Sequence, residues 1–270
     1  MKLLSAFCAV IWAVPLGAAS LSEDVLGVVS GADVVILGEV HDNPHHHDLQ
    51  TKVIEHVQPK AIVWEMLDQT QASRVTRDIV EHPETLEEVL GWSETGWPDF
   101  VMYAPIFAAA PDARTYGAHV SRPDARTAME TGVVVAFGDE AARFGLADPL
   151  PEGEQSEREA FQLRAHCDAL PVEMLPMMVD VQRLRDASLA RAIGTAFDET
   201  GGPVAVITGN GHARADWGIP VYLERILPDI TIVSIGQGED AAGAAGEFDL
   251  VLDAPGIERP DPCLAFRQGG

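Results

Sequence analysis

The sequence predicts an α/β fold, with a mostly parallel central sheet flanked by helices and a helical subdomain inserted into it. Two observations point to this class. Short, continuous apolar runs are typical of strands buried on both faces, and between them lie longer stretches whose apolar residues recur at helical spacing. The composition, with 47% hydrophobic and 22% charged residues in a chain of 270, is sufficient for a full core.

Four apolar runs are the best strand candidates, and each is followed by a glycine or a glutamate. They cover residues 33–37, 61–64, 204–208 and 230–235. A fifth strand is expected over 248–252, and residues 117–120 form a weaker candidate. Because helical stretches separate most of these runs, the connections suit crossovers between parallel strands.

Two helices have well-defined patterns. The first begins near residue 43, where Asp42 or Asn43 can cap it and Pro44 occupies a position at which a missing N–H costs nothing. The second is long, from about Val172 to Phe197, with apolar residues along one face. Both lie between predicted strands, as the crossovers of a parallel sheet require.

The chain is predicted to consist of a signal peptide and one domain. Residues 1–19 combine Lys2, a short apolar run and small residues before position 20, which is the pattern of a cleaved secretory signal. Residues 20–270 are expected to form a single domain, in which the segment from about 69 to 165 is a helical insertion. No Cys follows the small residues, so we expect a periplasmic or secreted protein without a lipid anchor at the cleavage site.

The predicted location outside the cytoplasm decides how the cysteines are interpreted. After removal of the signal, Cys167 and Cys263 remain. A pair of cysteines in an oxidising compartment favours a disulfide, and neither residue has the neighbouring ligands of a zinc motif. We therefore expect these two residues to be bonded to each other.

The charge balance excludes one class of partner. The sequence has 18 Lys and Arg against 42 Asp and Glu, a formal net charge of −24. Such a field repels nucleic acid and anionic membrane surfaces. No segment after the signal is long and apolar enough to cross a bilayer. We expect neither a nucleic-acid partner nor a transmembrane span.

Polar groups directly follow three of the predicted strands. Glu39 and His41 follow the first, Glu65 follows the second, and Asn210 and His212 follow the third. Ligands of open parallel sheets bind beyond the carboxyl ends of the strands, so we expect these groups to meet at one edge. Carboxylate and imidazole together suit metal ligation or acid–base catalysis. Glu39, His41, Glu65 and His212 are therefore the candidate catalytic residues.

Further imidazoles lie in the first turn of the following helix. His46 and His47, with Asn210 and His212, are candidates for cofactor binding, because imidazole can ligate haem iron or hydrogen-bond its other ligand. An exposed helical turn also tolerates histidine, so residues 45–47 fit an ordinary polar surface as well. No metal-ligand set follows from the spacing alone.

Residues 38–47 resemble the opening signature of the ChaN-type haem-binding uptake proteins. Four further segments fit that family in the same order, namely 64–66, 97–107, 182–187 and 209–220. The first and last motifs are long and specific, whereas the middle ones are individually weak. The resemblance spans about residues 21–237. It implies a parallel-sheet core with a helical subdomain and a role in haem or iron uptake outside the cytoplasm.

The resemblance also implies how haem is held. It implies haem bound at or near a homodimer interface, with a Tyr phenolate as iron ligand. Of the three tyrosines, Tyr103 matches the family stretch and is the expected ligand, although an ordinary half-buried aromatic fits that position equally. An outer-membrane haem receptor is the further partner that such a role implies.

A second hypothesis belongs to another class of protein. The Gly-Glu-x-His opening and the distant Gly-x-Gly-His element are also similar to metal-dependent hydrolases and erythromycin-esterase-like enzymes. On that hypothesis Glu39, His41, Glu65 and His212 bind a divalent metal ion, or act as base and acid on a bound water. Spacing alone does not separate the two hypotheses.

Overall fold

The computed structural model describes residues 21–261 and 263–264, so the predicted signal peptide at 1–19 lies outside the described residues. The strands of the described part are β1 (Val34–Glu39), β2 (Ala61–Trp64), β3 (Arg114–Gly117), β4 (Val204–Gly209), β5 (Ile232–Glu239) and β6 (Leu250–Ala254). They form one sheet in the order β3-β2-β4-β1-β5-β6, and every pairing is parallel. The predicted α/β class with a parallel sheet is confirmed.

Helices lie before β1 and in each connection between strands up to β5, whereas a loop joins β5 to β6. They are α1 (Glu23–Ser30), α2 (Pro44–Val57), α3 (Gln69–Ala72), α4 (Arg77–Val80), α5 (Pro83–Leu90), α6 (Phe100–Ala109), α7 (Arg122–Thr131), α8 (Val133–Phe137), α9 (Glu152–Ala165), α10 (Leu175–Thr200), α11 (Asn210–Ala213) and α12 (Ile219–Ile226). Short 3-10 turns cover Trp92–Glu94 and Val172–Met174. Among the described residues, no helix has the length and apolar character that crossing a membrane requires.

Helices cover both faces of the sheet, which explains the continuous apolar runs. On one face, side chains of α10 such as Leu184 and Ile193 pack against Val34 and Val206. On the other face, Ile54 of α2 and residues of α6 pack against the alternate strand positions. Every residue of β1 and β4 is buried. Burial of each large apolar side chain stabilises the fold by roughly 1.5–3 kcal/mol.

The start of α2 is set by its own sequence, as expected. Asn43 is the N-cap, and its Oδ1 accepts a hydrogen bond of 2.9 Å from the backbone N–H of His45. Pro44 occupies the first turn. The amide group of Asn43 also donates to Glu239 and to the carbonyl of Pro255, so the cap ties α2 to the end of β5.

The pairing register of β1, β2 and β4 brings the residues at the ends of these strands to the same level of the sheet. Glu39 of β1 pairs with Gly209 of β4, and Trp64 of β2 pairs with Ile207 of β4. The backbone N–H of Glu65 then donates to the carbonyl of Ile207 at 3.1 Å. The ends of these three strands therefore share one edge of the sheet.

The fifth strand and the weaker candidate lie away from their predicted positions. β6 begins at Leu250, two residues after the expected start. β3 ends at Gly117, so residues 118–120 form the loop after the strand. Gly117 packs tightly against the backbone of Asp68, so an added Cβ would overlap the Asp68 carbonyl oxygen.

The segment from 69 to 165 is more than a helical insertion. It contains α3 to α9, in agreement with the helical pattern, but it also supplies β3, which pairs along its whole length with β2. Tyr116 of β3 belongs to the same core as α10. The segment thus builds one end of the sheet.

A disulfide joins the C-terminal segment to the rest of the chain. Cys167, which follows α9, is bonded to Cys263, with 5.5 Å between the two Cα atoms. This confirms the pairing expected from the cysteine count. The bond closes a loop with a sequence separation of 96, which contains α10 and three strands.

We expect the double substitution Cys167→Ser with Cys263→Ser to lower the free energy of unfolding by about 4 kcal/mol, because a closed loop of this length restricts the unfolded chain. Equilibrium unfolding in denaturant measures the loss against oxidised wild type. Reduced wild type is the matched control and should unfold at the same midpoint as the variant. Two alkylatable thiols in unfolded, unreduced wild type would contradict the pairing.

Candidate functional site

The carboxylate of Glu39 lies at the end of β1, only 2% exposed, among polar partners. Its Oε1 is 2.7 Å from Nδ1 of His41 and accepts from the hydroxyl of Tyr103 at 3.0 Å. Its Oε2 accepts from the side-chain amide of Gln50 at 2.8 Å and lies 3.4 Å from Nδ1 of His47. Each oxygen is thus held by two neighbours, and the group has little freedom to move.

His41 is the member of this group that reaches the surface of a cavity. Its side chain is 32% exposed, and its Nδ1 points to Glu39. Its Nε2 lies on the other side of the ring, towards Glu65. Gly209 makes room for the ring, since a Cβ there would lie 2.9 Å from Nε2. Burial acts to lower the pKa of His41, but the hydrogen bond to Glu39 and the charge of Glu65 outweigh it and raise the pKa.

Glu65 follows β2 and lies between two imidazoles. Its Oε2 accepts from the hydroxyl of Thr208 and the N–H of Gly209, both at 2.8 Å, and is 3.9 Å from Nε2 of His41. Its Oε1 is 3.4 Å from Nε2 of His212. Burial opposes ionisation of Glu65, but the charge of His212 and these hydrogen bonds hold its pKa well below the usual value.

His212, in α11, lies between two carboxylates. Nδ1 is 2.6 Å from Oδ1 of Asp186, and Nε2 faces Glu65. Burial alone would lower the pKa of His212, but the charges of Glu65 and Asp186 outweigh it and raise the pKa to about 10. The raised pKa favours the imidazolium form, in which both nitrogens donate. Burial also raises the pKa of Asp186, which opposes its ionisation.

Asp186 is a site residue that the sequence interpretation missed. It is fully buried on α10, between Leu184 and Leu189 of the same core-facing stretch. The available signal was a carboxylate on an otherwise apolar helical face, which is costly unless it has a partner. The identity of that partner, a histidine 26 positions away, is visible only in three dimensions.

The predicted residues converge as expected at the carboxyl edge of the sheet. His41, Glu65 and His212 border one cavity of about 240 Å³, and Glu39 lies behind His41. Further wall residues that were not predicted as site residues are Trp97, His119 and Arg185. The first and last of these lie in motif segments of the family resemblance, but spacing did not indicate the direction of their side chains.

A second, larger cavity adjoins the first. It measures about 930 Å³ and lies along β3 and α10, with Arg114 and Arg191 among its lining residues. Residues 118–120 border both cavities. We refer to the two together as the edge cleft.

Three residues predicted to bind a cofactor make hydrogen bonds within the fold, two of them to the loop after β1 and one to β5. His46 and His47 are 0% and 1% exposed. His46 Nδ1 accepts from the N–H of Val40, and His47 Nε2 donates to the carbonyl of His41. Asn210 makes paired hydrogen bonds with the backbone of Gln237. None of the three borders the edge cleft, because their polar atoms face the backbone.

Tyr103 also lies away from the edge cleft. Its side chain is 0% exposed and packs against the rings of His47 and Trp92, with centroid distances of 4.3 and 4.8 Å. Burial and the adjacent Glu39 raise the pKa of its phenol. In this arrangement the hydroxyl donates to Glu39 and lies 3.3 Å from the carbonyl oxygen of His41. That Tyr103 is the iron ligand stays a prediction.

The divalent-metal alternative also requires correction. Among the described residues, no group of three or more His, Cys, Asp or Glu side chains is arranged to hold a metal ion. The imidazoles of His41 and His212 instead direct nitrogens at carboxylates, which is an arrangement of ion pairs.

Comparison with known families decides the classification. Residues 25–223 match the family described as haem-binding uptake, Tiki superfamily, ChaN. The chain belongs to this family. The match covers the whole of the site, from Glu39 to His212, and about three quarters of the sequence. Membership in the haem-binding uptake family confirms the resemblance seen in the motifs.

A solved structure of the same family agrees with this assignment at the level of the fold. The structure described as cofacial haem binding to ChaN of Campylobacter jejuni aligns with a TM-score of 0.61 and 18% identity, over 80% of this chain and 85% of that chain. The type III effector HopBA1 aligns with a TM-score of 0.49 and 12% identity, over 86% and 92% of the two chains. No curated protein is significantly similar in sequence.

The buried ion pairs should make stability depend on pH. Because the folded pKa of His212 is raised to about 10, its contribution is complete below the unfolded pKa of about 6.5 and is lost as pH rises through 10. His212→Gln should therefore destabilise the protein most at about pH 6, and the deficit should shrink as pH rises towards 10. Thermal unfolding across this range measures it, with the exposed His82→Gln as control. A deficit that stays constant from neutral pH to pH 10 would refute the ion-pair assignment.

Proposed function

We propose that this protein binds haem outside the cytoplasm, in haem or iron uptake, and that the edge cleft is the haem site. Membership in the haem-binding uptake family supports the class of ligand. The observation that carries the proposal is the cleft wall, where His119 and Trp97 stand beside His41. Imidazole is an iron ligand, and an indole ring offers a large apolar face to a porphyrin.

The size of the edge cleft suits a ligand larger than a single small group. Pockets for drug-sized ligands occupy about 300–1,000 Å³. The larger cavity, at about 930 Å³, falls in that range, and the smaller, at about 240 Å³, falls below it. The larger cavity therefore has sufficient volume for a porphyrin, and residues 118–120 connect it to the wall that contains Trp97.

Two arginines of the edge cleft suit an anionic ligand, although the carboxylates of Asp124 and Glu199 also line the larger cavity. The protein as a whole carries −24, which would repel the two propionates of haem. Arg185 is exposed at the smaller cavity, and Arg191 lines the larger one. Arginine binds carboxylates in a bidentate geometry. These guanidinium groups supply local positive charge where the ligand would enter.

The predicted secretory signal, the disulfide and the uptake role of the family support a periplasmic or secreted location. An outer-membrane haem receptor is the partner that this role requires. A homodimer is the assembly that the resemblance implies, and the cofacial haem binding described for C. jejuni ChaN accords with haem shared between copies.

We expect ferric haem to bind the mature protein, and Arg185→Glu to weaken binding about tenfold, equivalent to ~1.4 kcal/mol, through repulsion of a propionate. A visible-absorption titration measures both. The matched control is Arg164→Glu. It makes the same change of charge at an exposed position of α9, outside the walls of both cavities. An unchanged absorption spectrum of haem with wild type would refute haem binding.

A second candidate function, hydrolysis by acid–base catalysis, is favoured by the orientation of His41. The buried carboxylate of Glu39 holds Nδ1, so the proton is placed there and the lone pair of Nε2 is left for a reacting water. A carboxylate that fixes the tautomer of an imidazole is the arrangement of a general base. The imidazolium of His212 supplies a positive charge in the same cavity.

On this candidate, Nε2 of His41 takes a proton from water while the water oxygen adds to the carbonyl carbon of an ester. The proton then passes to the departing alkoxide, and an acid and an alcohol are formed. His41 must be neutral for the first step. Since Glu39 and Glu65 raise its pKa despite burial, the rate should rise as pH passes above that value.

Hydrolysis of 4-nitrophenyl butyrate tests this candidate. Glu39→Gln should lower kcat about 100-fold, because a neutral amide no longer orients His41 or stabilises its protonated form. His82→Gln is the control for background catalysis by surface imidazole. Equal rates for wild type and His41→Gln would reject the hydrolase function and leave the haem proposal intact.

A further inference from the structure

The turn that carries His41 is held on its inner side by the fold. Residues 40–43 form this turn, which is closed by a hydrogen bond of 2.9 Å from the N–H of Asn43 to the carbonyl of Val40. His41 and Asp42 are its two central residues. The carbonyl of His41 accepts a hydrogen bond of 2.9 Å from Nε2 of His47. These contacts leave the side chain of Asp42 to be held from elsewhere.

The guanidinium of Arg259 binds this side chain from the outer surface. Its Nε donates to the two carboxylate oxygens of Asp42, at 2.8 and 2.7 Å. Its Nη1 and Nη2 donate to the two oxygens of Glu239, both at 2.7 Å. Glu239 is the last residue of β5, which pairs with β1. One side chain thus bridges the turn after β1 and the end of the neighbouring strand, in a fork geometry that fixes direction as well as distance.

Without this cation, the two carboxylates would face each other uncompensated. Asp42 and Glu239 bind the same guanidinium, so they lie close together and repel each other. Among the described residues, no other basic side chain forms an ion pair with either of them. The hydrogen bonds from Arg259 outweigh burial and lower the pKa of Glu239, which favours its charged form. Loss of the guanidinium would therefore push Asp42, and the turn with it, away from β5.

Arg259 lies in a segment that is itself fastened at both ends. We call residues 255–261, which follow β6, the C-terminal strap. Most of its residues are exposed, so it has little apolar packing of its own. At its start, the carbonyl of Pro255 accepts from the side-chain amide of Asn43 at 2.9 Å. Beyond its far end, Cys263 is bonded to Cys167. Because both ends are fixed, less conformational freedom is lost when the guanidinium binds its carboxylates.

We infer that Arg259 is a positioning residue of the site, which acts through Asp42 to fix the turn that carries His41. The family match ends at residue 223, so this contact comes from outside the matched part of the chain. The inference concerns the geometry of the site and does not depend on whether haem binding or hydrolysis is its function. On either proposal, a strap on the outer surface determines the orientation of an imidazole that borders the smaller cavity.

Amide hydrogen exchange of the turn tests the inference. Arg259→Ala should speed exchange of the Asn43 amide, which closes the turn, about tenfold, equivalent to ~1.4 kcal/mol of local opening. Arg77→Ala is the matched control, because Arg77 is an exposed arginine of α4 that also contacts two carboxylates, those of Glu81 and Asp112. It should leave the Asn43 rate unchanged. An Asn43 rate in Arg259→Ala equal to that of wild type would overturn the inference.

A double-mutant cycle separates action through Asp42 from a general loosening of the strap. Asp42→Asn removes one carboxylate of the bridge and leaves the contact between Arg259 and Glu239. In the Asp42→Asn background, Arg259→Ala should change the Asn43 exchange rate by less than about twofold, because the two substitutions remove the same interaction. A full tenfold change in both backgrounds would show that Arg259 does not act through Asp42.

The nitrogen resonances of His41 give a readout that a merely structural role would not move. Selective ¹⁵N labelling of histidine, with His41→Gln to assign the signals, reports the tautomer that Glu39 imposes. Arg259→Ala should shift or broaden the His41 signals. Because the ion pairs of Arg259 are partly exposed, its thermal unfolding midpoint should fall by no more than about 4 °C. Unchanged His41 signals, despite faster exchange of Asn43, would limit Arg259 to holding the strap and overturn the positioning role.

Discussion

The carboxylate of Glu39 ends the central strand below the protein surface, where an unpartnered charge would be strongly destabilising. Its partners come from three places in the chain: the loop after β1, helix α2 and helix α6. These contacts fix both helices on the same face of the sheet. They also fix His41, so that the orientation of the imidazole in the cavity follows from the need to compensate a buried charge.

The same constraint explains the second ion-pair group. Glu65 lies at the end of β2, His212 in α11 and Asp186 in the middle of α10, and each is buried because the other two are present. Removal of one member would leave a buried charge uncompensated, which costs more than the contact itself contributes. The inner part of the site is therefore paired internally, except that Oδ2 of Asp186 is buried without a hydrogen-bond partner among the described residues.

The outer part of the site is more exposed to solvent than the inner part. His119, Trp97 and Arg185 belong to the cleft wall, and two of them are exposed in a protein with a net charge of −24. Haem binding would use this outer wall, and hydrolysis would use His41 behind it. The two candidate functions thus depend on different imidazoles, which makes them separable by single substitutions.

The sequence by itself determined the sheet, the cap of α2 and the edge at which the polar residues meet. Burial on both faces forces continuous apolar runs, and parallel strands bring the residues after their carboxyl ends to a common edge. The tertiary structure alone decided which of those residues face a ligand. His46 and His47 share a motif with His41, and Tyr103 lies in another motif of the family. All three are nonetheless buried in the core, because helical spacing specifies a face only once the packing partner is known. Asp186 and His119 entered the site through contacts across the fold, and no local pattern encodes such distances.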